Sequence, residues 1–501
     1  MRVTNSMISN SSQIHIGNAK NKLYTAENQY TTQKKILRPS DDPTVAIRSL
    51  QLRTTYAQID QYVEKNVQDG MSWMDSTETA ITNINGILTS MKEKLNQGAN
   101  DYLGAEERNA VLSVLKEYAS AIFEDEANTD YSGRYVFTGY RTDTSLLFPE
   151  DVENLEYEIV QNFTSNDIES IKYVYGGAEY KEGTTADEYA QQIPAEDTAY
   201  QLKLAYDKCS DTAMTGSANP AINIELSGNA YGTPKTLNIV TISSEDAENY
   251  KDDLGTNDAL YIYDTGEIIF SEAICSEIQQ NDAGIKITYS KKGFEKNDIR
   301  PEMYFECSSY NTDSKKTINY REPSDQAIKY EINFSQTVMV NTQARDAIDT
   351  DIYRAIDYLE QTVMAVDDVE RRIEDIETMI TNATDATDIE NYTKLKEMLE
   401  TEQKLLVGTM TEAFGKGLTM VDQAQEKLNV ALADLGSRYN RLQLTYDKLS
   451  DQRVDTEEKL SENEDVDLAD AYINLTQADN LYQASLTATS KILGNSLLNY
   501  I

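Results

Sequence analysis

The amino-acid sequence predicts a mainly α-helical protein with a β-rich insert in the middle of the chain. Its eight prolines leave residues 44–148 and 324–501 without any. Because a proline inside a helix costs about 3 kcal/mol, both stretches can form long helices. Apolar side chains in these stretches recur at alternating steps of three and four residues, whereas short β-branched and aromatic runs lie between them.

The first long helix is predicted from Pro43 to about Gln97. Asp42 is suited to cap it, and Pro43 fits the first turn, where a missing N–H is not needed. A second helix is predicted from Glu106 to about Glu126. The first helix carries a heptad stripe of packing residues: Met74, Ile81, Ile84, Leu88 and Leu95.

The C-terminal half supplies the helices that would cover this stripe. Asp346–Ile380 and Asp388–Phe414 are predicted helices with charged outer faces. Further along, a second heptad stripe contains Leu428, Leu432, Leu435 and Leu442. The two stripes are expected to pack against each other as a helical rod.

Residues between the helical halves predict strands. The runs are Tyr157–Val160, Ile171–Tyr175, Ile222–Leu226, Leu237–Ile242, Ile285–Tyr289 and Ile328–Phe334. Tyr261–Phe270 predicts a hairpin that turns at Asp264 to Gly266.

Both ends of the chain predict amphipathic helices with few charges. Residues 466–501 carry only Asp467, Asp470, Asp479 and Lys491 as charged side chains. Such helices would expose much apolar surface alone, so we expect them to pack against each other and against neighbouring subunits. The expected interface residues are Ile16, Leu23, Tyr30, Leu468, Tyr472, Leu475, Tyr482, Leu486, Leu493 and Leu497.

These patterns divide the chain into three parts. Residues 1–42 and 464–501 would form a domain of paired terminal helices, 43–145 and 334–463 the helical rod, and 146–333 a β-rich insert of one or two lobes. The division fits a chain of 501 residues, which is long enough for several cores.

Composition argues against several classes of function. The net charge of −40 repels phosphate backbones and anionic lipid surfaces, so neither nucleic acid nor a membrane is expected as a partner. His15 is the single histidine, which excludes two-imidazole metal sites, and its place on an amphipathic terminal helix argues against a histidine-activated nucleophile. Cys209, Cys275 and Cys307 lack metal-ligand spacing. We therefore expect no enzyme activity, no cofactor and no metal.

Several motifs resemble the flagellin-like family, in its hook–filament junction branch. The run from Ile36 to Pro43, Ile-Leu-Arg-Pro-Ser-Asp-Asp-Pro, resembles the start of this family and contributes Pro39, Asp41, Asp42 and Pro43. The run from Gly133 to Gly139, which includes Phe137, resembles the signature after its N-terminal helices. Leu435 to Leu442 resembles its C-terminal rod. Gln33 stands where the family usually has Gly.

The resemblance implies a structural role outside the cell. In this family the terminal helices pair into the inner tube of the flagellum, and the insert faces outward. It implies self-association in a ring or helical lattice, contact with an adjacent hook-associated protein and flagellin, and a cytoplasmic export chaperone at the C-terminal helix, here about Leu468 to Ile501. Export through the flagellar type III apparatus, without a cleaved signal peptide, is also implied.

Three alternatives remain open on the residues alone. Flagellin itself shares the terminal patterns. The tyrosine-rich insert would also suit a surface-displayed binding or adhesin module. An enzyme within the insert is the least favoured, because the only histidine lies outside it.

Overall fold

A computed structural model describes residues 5–100, 104–228, 233–247, 249–320 and 326–498, without the side chains of residues 5, 105 and 492–498. The helices are α1 Asn5–Thr32, α2 Pro43–Gln61, α3 Gln68–Gly98, α4 Ala105–Ser120, α5 Ala186–Tyr189, α6 Tyr250–Leu254, α7 Glu272–Asn281, α8 Pro301–Tyr304, α9 Ala344–Ala347, α10 Asp351–Asn382, α11 Ala386–Glu464 and α12 Leu468–Leu498.

Strands occupy the central part of the chain. They are β1 Asp130–Tyr131, β2 Arg134–Tyr135, β3 Val152–Phe163, β4 Glu169–Tyr175, β5 Ala195–Lys203, β6 Ile222–Ser227, β7 Lys235–Thr236, β8 Ile239–Ile242, β9 Ala259–Ile262, β10 Glu267–Phe270, β11 Gly284–Phe294, β12 Glu306–Asn311, β13 Lys316–Tyr320, β14 Lys329–Asn333 and β15 Gln336–Met339. The predicted fold class, mainly α with a β-rich insert, is confirmed.

The chain folds as two compact units. The first contains residues 1–71, 330–338 and 440–501, and the second contains 72–329 and 339–439. In the first unit, the β14–β15 hairpin packs on the helical residues from Tyr62 to the start of α3. The Tyr62 and Phe334 rings lie 5.5 Å apart, and the Tyr330 hydroxyl donates to Asp69 at 2.8 Å.

The predicted helix from Pro43 to Gln97 is confirmed, with one feature that the sequence analysis missed. Residues Tyr62–Val67 form a π-helical segment between α2 and α3. Ile59, Val63 and Val67 are buried and follow one another at steps of four. A π-helical turn is wider than an α-helical turn, so side chains four residues apart stay on the same face of this segment. The predicted second helix likewise ends in a π-helical segment, Ala121–Glu126.

In the second unit, α3 and α11 run antiparallel. Asn85 donates to Asn429 at 3.1 Å, Lys92 pairs with Asp422, and Leu95 lies against Gly417. Helices α4 and α10 are also antiparallel, because Phe123 stacks on Tyr353 at 4.3 Å while Lys116 pairs with Glu360 at 2.6 Å. The predicted packing residues Met74, Ile81, Ile84, Leu88, Leu95, Leu428, Leu435 and Leu442 are buried, and Leu432 is partly buried.

The insert contains two larger sheets. One has five strands in the order β4-β5-β10-β9-β8, of which only β8 and β9 pair in parallel. The other is antiparallel, with six strands in the order β13-β12-β3-β11-β6-β7. The predicted hairpin is β9–β10, with Gly266 at φ +66° in its turn. Strands β5, β12 and β13 and helix α7 had no counterpart in the prediction, and Leu237 precedes β8 rather than joining it.

Two helical glycines should respond in opposite ways to replacement by alanine. Gly436 has no atom within 4 Å of an added Cβ, so Gly436→Ala should raise the free energy of unfolding by about 0.5–1 kcal/mol. At Gly98 a Cβ would lie 2.2 Å from the buried ring of Phe414. Gly98→Ala should therefore destabilise by about 1–3 kcal/mol. Urea unfolding followed by the fluorescence of Trp73, the single tryptophan, measures both changes. If the two substitutions changed the free energy of unfolding in the same direction, the packing described would be contradicted.

Candidate functional site

The terminal helices α1 and α12 form an antiparallel pair within the first unit. The Tyr30 and Tyr472 rings lie 6.1 Å apart, at the end of α1 and the start of α12. Just beyond, Lys34 and Asp465 form an antiparallel β-bridge, and the Val466 N–H donates to the Gln33 carbonyl at 3.0 Å. The two ends of the chain are thus held side by side.

Small side chains form the buried seam of this pair. On α1 the buried positions are Ser12, Ala19 and Ala26, and on α12 they are Ala471 and Ala478. Within each helix they are spaced by seven residues. Side chains this small let helix backbones approach closely, and the heptad spacing keeps them facing the partner. The seam is therefore narrow and tightly packed.

The predicted interface residues fall into two groups around the seam. Ile16, Leu23, Leu475 and Tyr482 are partly buried beside the small residues. Tyr30, Leu468, Tyr472 and Leu486 are exposed. Leu493 and Leu497 lie outside the described side chains. Ala471 and Ala478 were missed on α12, although their alternation with Leu475 and Tyr482 in steps of four and three was a usable signal.

A large apolar surface remains on the outer faces of the pair. Its most exposed members are Met7, Ile14 and Tyr24 on α1 with Leu468, Tyr472, Ile473, Leu481 and Leu486 on α12. Exposures range from 42% for Leu486 to 62% for Tyr24. Several large apolar side chains left exposed on one helix pair favour an interaction surface there. We refer to these eight residues as the outer apolar surface.

A cluster of charged residues fixes the base of the helix pair. Arg53 on α2 donates two hydrogen bonds of 2.6 Å to the Glu464 carboxylate at the end of α11. Lys34 lies 3.4 Å from Glu464 and 2.5 Å from Asp465. The Glu464 side chain is only 7% exposed, whereas that of Arg53 is 61% exposed. The cluster therefore holds a buried carboxylate between two surface cations.

Electrostatics in this cluster favour the charged forms. The Arg53 hydrogen bonds lower the pKa of Glu464 below its usual 4.5. The Lys34 hydrogen bond similarly lowers the pKa of Asp465, and Asp465 in turn raises that of Lys34. At neutral pH all four groups are ionised.

The aspartates of the Ile36–Pro43 motif organise the turn between α1 and α2. The Asp41 carboxylate accepts from the backbone N–H groups of Leu37 and Arg38, at 3.2 and 2.9 Å. Asp42 caps α2 by accepting from Thr44 at 2.9 Å and Val45 at 3.2 Å, with Pro43 in the first turn. Gln33 adopts φ +59°, a left-handed conformation that suits glycine. Pro39 is exposed.

The second family motif lies in the other unit, where it follows α4. Gly133 adopts φ +76° in the β1–β2 turn. Phe137 is buried, and its carbonyl accepts from Ala344 at 2.9 Å. At Gly139, φ is +62° and an added Cβ would lie 2.1 Å from the Gln326 side chain. Glycine is required there by both conformation and space.

Other candidate chemistry is not assembled within the described ranges. No group of three or more His, Cys, Asp or Glu side chains there could hold a metal ion. No helix in those ranges is long and apolar enough to cross a membrane. The His15 ring contacts Ser11 at 3.2 Å on the exposed face of α1. Cys209, Cys275 and Cys307 are buried as free thiols.

Family models match both ends of the chain. Residues 3–142 match the bacterial flagellin N-terminal helical region, and residues 418–501 match the bacterial flagellin C-terminal helical region. The two matches include the helix pair, the charged cluster and both motifs.

Curated relatives are similar over part of their length. Flagellar hook-associated protein 3 of Salmonella typhimurium is 24% identical over 29% of this chain and 45% of its own length. The Escherichia coli protein of that name is 25% identical over 24% of this chain and 38% of its own length. Flagellin A of Helicobacter felis is 23% identical over 42% of this chain and 40% of its own length. The chain thus spans less than half of each relative.

Solved structures of flagellar proteins are also similar. Xanthomonas campestris FlgL shows a TM-score of 0.31 and 12% identity, with 81% of this chain and 98% of that chain covered. The flagellar junction protein FlgL of Legionella pneumophila shows a TM-score of 0.26 and 12% identity, with 79% and 99% covered. Both TM-scores are low, so the similarity is carried by the sequence matches. Those matches show that the chain is similar to bacterial flagellins at both ends and to flagellar hook-associated protein 3 over part of its length.

Proposed function

We propose that this protein is a structural component of the bacterial flagellum that joins the hook to the filament. The observation that carries the proposal is the α1–α12 pair, whose small residues pack inward while the outer apolar surface stays exposed. A helix pair built in this way is stable enough to form and still has apolar area to bury against other subunits.

The proposed role is mechanical. Copies of the chain associate through the outer apolar surface in a ring or helical lattice, and the insert faces outward. One end of that assembly contacts an adjacent hook-associated protein and the other contacts flagellin. The distribution of charge supports this, because residues 1–58 carry eight basic and only three acidic side chains in a chain of net charge −40. Repulsion between acidic subunits is therefore weakest near the termini.

The same surface suits an export chaperone before assembly. Residues 468–501 would lie along an apolar groove of that chaperone as an amphipathic helix, in the flagellar type III export route. The bound chaperone would cover Leu468, Tyr472 and Leu486, which would otherwise associate prematurely.

Flagellin is the second candidate, since one relative is named Flagellin A. Two relatives named hook-associated protein 3 favour the junction. Electron microscopy of gold-labelled protein on isolated flagella separates the two. Label confined to a short zone at the filament base supports the junction, whereas label along the whole filament indicates flagellin.

Deletion of the gene tests the role in cells. Mutant cells should make hooks but release flagellin into the medium unattached, because flagellin has no lattice to add to. Swimming on soft agar and electron microscopy of the cell surface measure this result. Expression of the full chain from a plasmid should restore filaments, and a mutant that keeps intact filaments would refute the proposed function.

A further inference from the structure

Three tyrosines form a row on the five-stranded sheet of the insert. Tyr173 and Tyr175 are two residues apart on β4 and therefore share one face, with ring centroids 5.7 Å apart. Tyr250, at the start of α6, continues the row 4.6 Å from Tyr173. All three residues are partly buried.

Two clefts flank this row. One, of about 170 Å³, is lined by residues of the sheet and of helices α10 and α11, among them Gln201, Glu267 and Tyr358. The other, of about 240 Å³, lies on the side of α6 and contains Asp197, Lys251 and Thr198. Tyr173 and Tyr250 line both clefts. The two rings thus form a shared wall with polar groups on either side.

The row is held in place by hydrogen bonds. The Tyr173 hydroxyl donates to Asn249 Oδ1 at 2.9 Å, and the same oxygen accepts from the Lys251 backbone at 3.2 Å. Burial raises the pKa values of Tyr173 and Tyr250, so their hydroxyls stay protonated. A ligand would therefore meet ring faces whose positions are already fixed.

Charged side chains along the clefts are paired locally. Lys251 lies 3.4 Å from Asp197, Lys172 lies 2.8 Å from Glu196, and Lys203 lies 3.0 Å from Glu267. The Lys203 ammonium also covers the Tyr358 ring at 4.5 Å. In a protein of net charge −40, such a balanced site is selective for neither an anion nor a cation.

We propose that the clefts on either side of the Tyr173 and Tyr250 rings bind a neutral oligosaccharide. The aromatic faces carry partial negative charge that attracts the polarised C–H bonds of a sugar ring. The flanking carboxylates, amide and ammonium groups offer both acceptors and donors, which hydroxyl groups need. This inference concerns the five-stranded sheet and the helices α10 and α11 beside it, and it does not depend on the role of the termini.

Binding of neutral glycans by the full chain tests the proposal. The probes are the trisaccharides of β-1,4-linked N-acetylglucosamine and α-1,4-linked glucose, followed by an array of neutral glycans, with titration calorimetry for any that bind. Tyr173→Ala should weaken binding by about tenfold or more, a loss comparable with that of one stacked ring. Tyr173→Phe keeps the ring face and should retain most of the affinity.

The matched control is Tyr180→Ala, which removes a 44% exposed tyrosine ring of the same insert outside the row. It should leave glycan binding unchanged. Thermal unfolding of every variant shows whether the sheet remains folded, and a Tyr173→Ala protein that unfolds early is replaced by Tyr250→Ala, at the other ring that lines both clefts. Failure of all neutral glycans to bind, equal losses in the Tyr173→Ala and Tyr180→Ala proteins, or selective binding of aromatic peptides instead would overturn the inference.

Discussion

Replacing Ala478 by glutamate is expected to separate the terminal helices and to abolish assembly. Ala478 is only 9% exposed in the seam between α1 and α12, so a longer side chain there would point into the contact between the two helices. Glutamate would bring an unpaired carboxylate into a narrow apolar seam, which costs about 2–4 kcal/mol. The helix pair should therefore become sensitive to limited proteolysis, and pelleting in concentrated sulfate should find no polymer.

A matched control lies six residues further along the same helix. Ala484 is exposed, so Ala484→Glu adds the same charge without entering the seam and should leave the pair intact. The double variant Tyr472→Ser, Leu486→Ser removes part of the outer apolar surface only. It should keep the pair protected from protease and still fail to polymerise. Normal polymers of the Ala478→Glu protein would show that the α1–α12 seam is not needed for assembly.

Replacing Arg53 by methionine is expected to weaken the first unit and to change its response to acid. The substitution keeps much of the side-chain length but removes both hydrogen bonds to Glu464. Because Glu464 is buried while Arg53 is largely exposed, solvent screens part of the interaction, and we expect a loss of about 1–2 kcal/mol in the free energy of unfolding at pH 7.

The sign of the pH dependence follows from the lowered pKa of Glu464. A carboxylate with a folded-state pKa below 4.5 stabilises the protein fully above that pH and loses its contribution as the pH falls through the lower value. The wild-type protein should therefore lose more stability on acidification than the Arg53→Met protein. Urea titrations at pH 7.0 and 3.5 measure the difference. Arg48→Met, an exposed position on the same helix, is the control and should behave as wild type.

The helical half of the fold could be predicted because two independent signals agree. The absence of prolines permits long helices, and the heptad stripes through Leu88 and Leu435 require a partner along them. Asp42 and Pro43 marked the start of α2 correctly, since capping is a local interaction that the sequence contains in full. The π-helical segments were missed, because they depend on how the buried face is aligned with its partners.

The remaining features depend on contacts between residues far apart in the chain. Strands β5 and β12 carry polar residues such as Glu196 and Ser308, and only pairing with neighbouring strands shows them to be strands. In the terminal pair, large apolar residues were expected to face each other, whereas alanines fill the seam. The cluster of Lys34, Arg53 and Glu464 was not predicted either. The positions of charged residues along the sequence do not show which of them form ion pairs in the folded chain.

The joining of the two chain ends also constrains when the protein can finish folding. Lys34 and Asp465 are separated by 431 positions, so the first helix emerges from the ribosome long before its partner exists. Contacts of such high sequence separation form late, although the entropy of closing a long loop rises only with the logarithm of its length. A prematurely terminated chain would therefore leave α1 unpaired, and its Ala19 and Ala26 would be open to solvent. Helices α1 and α12 can therefore pair only after α12 has been translated.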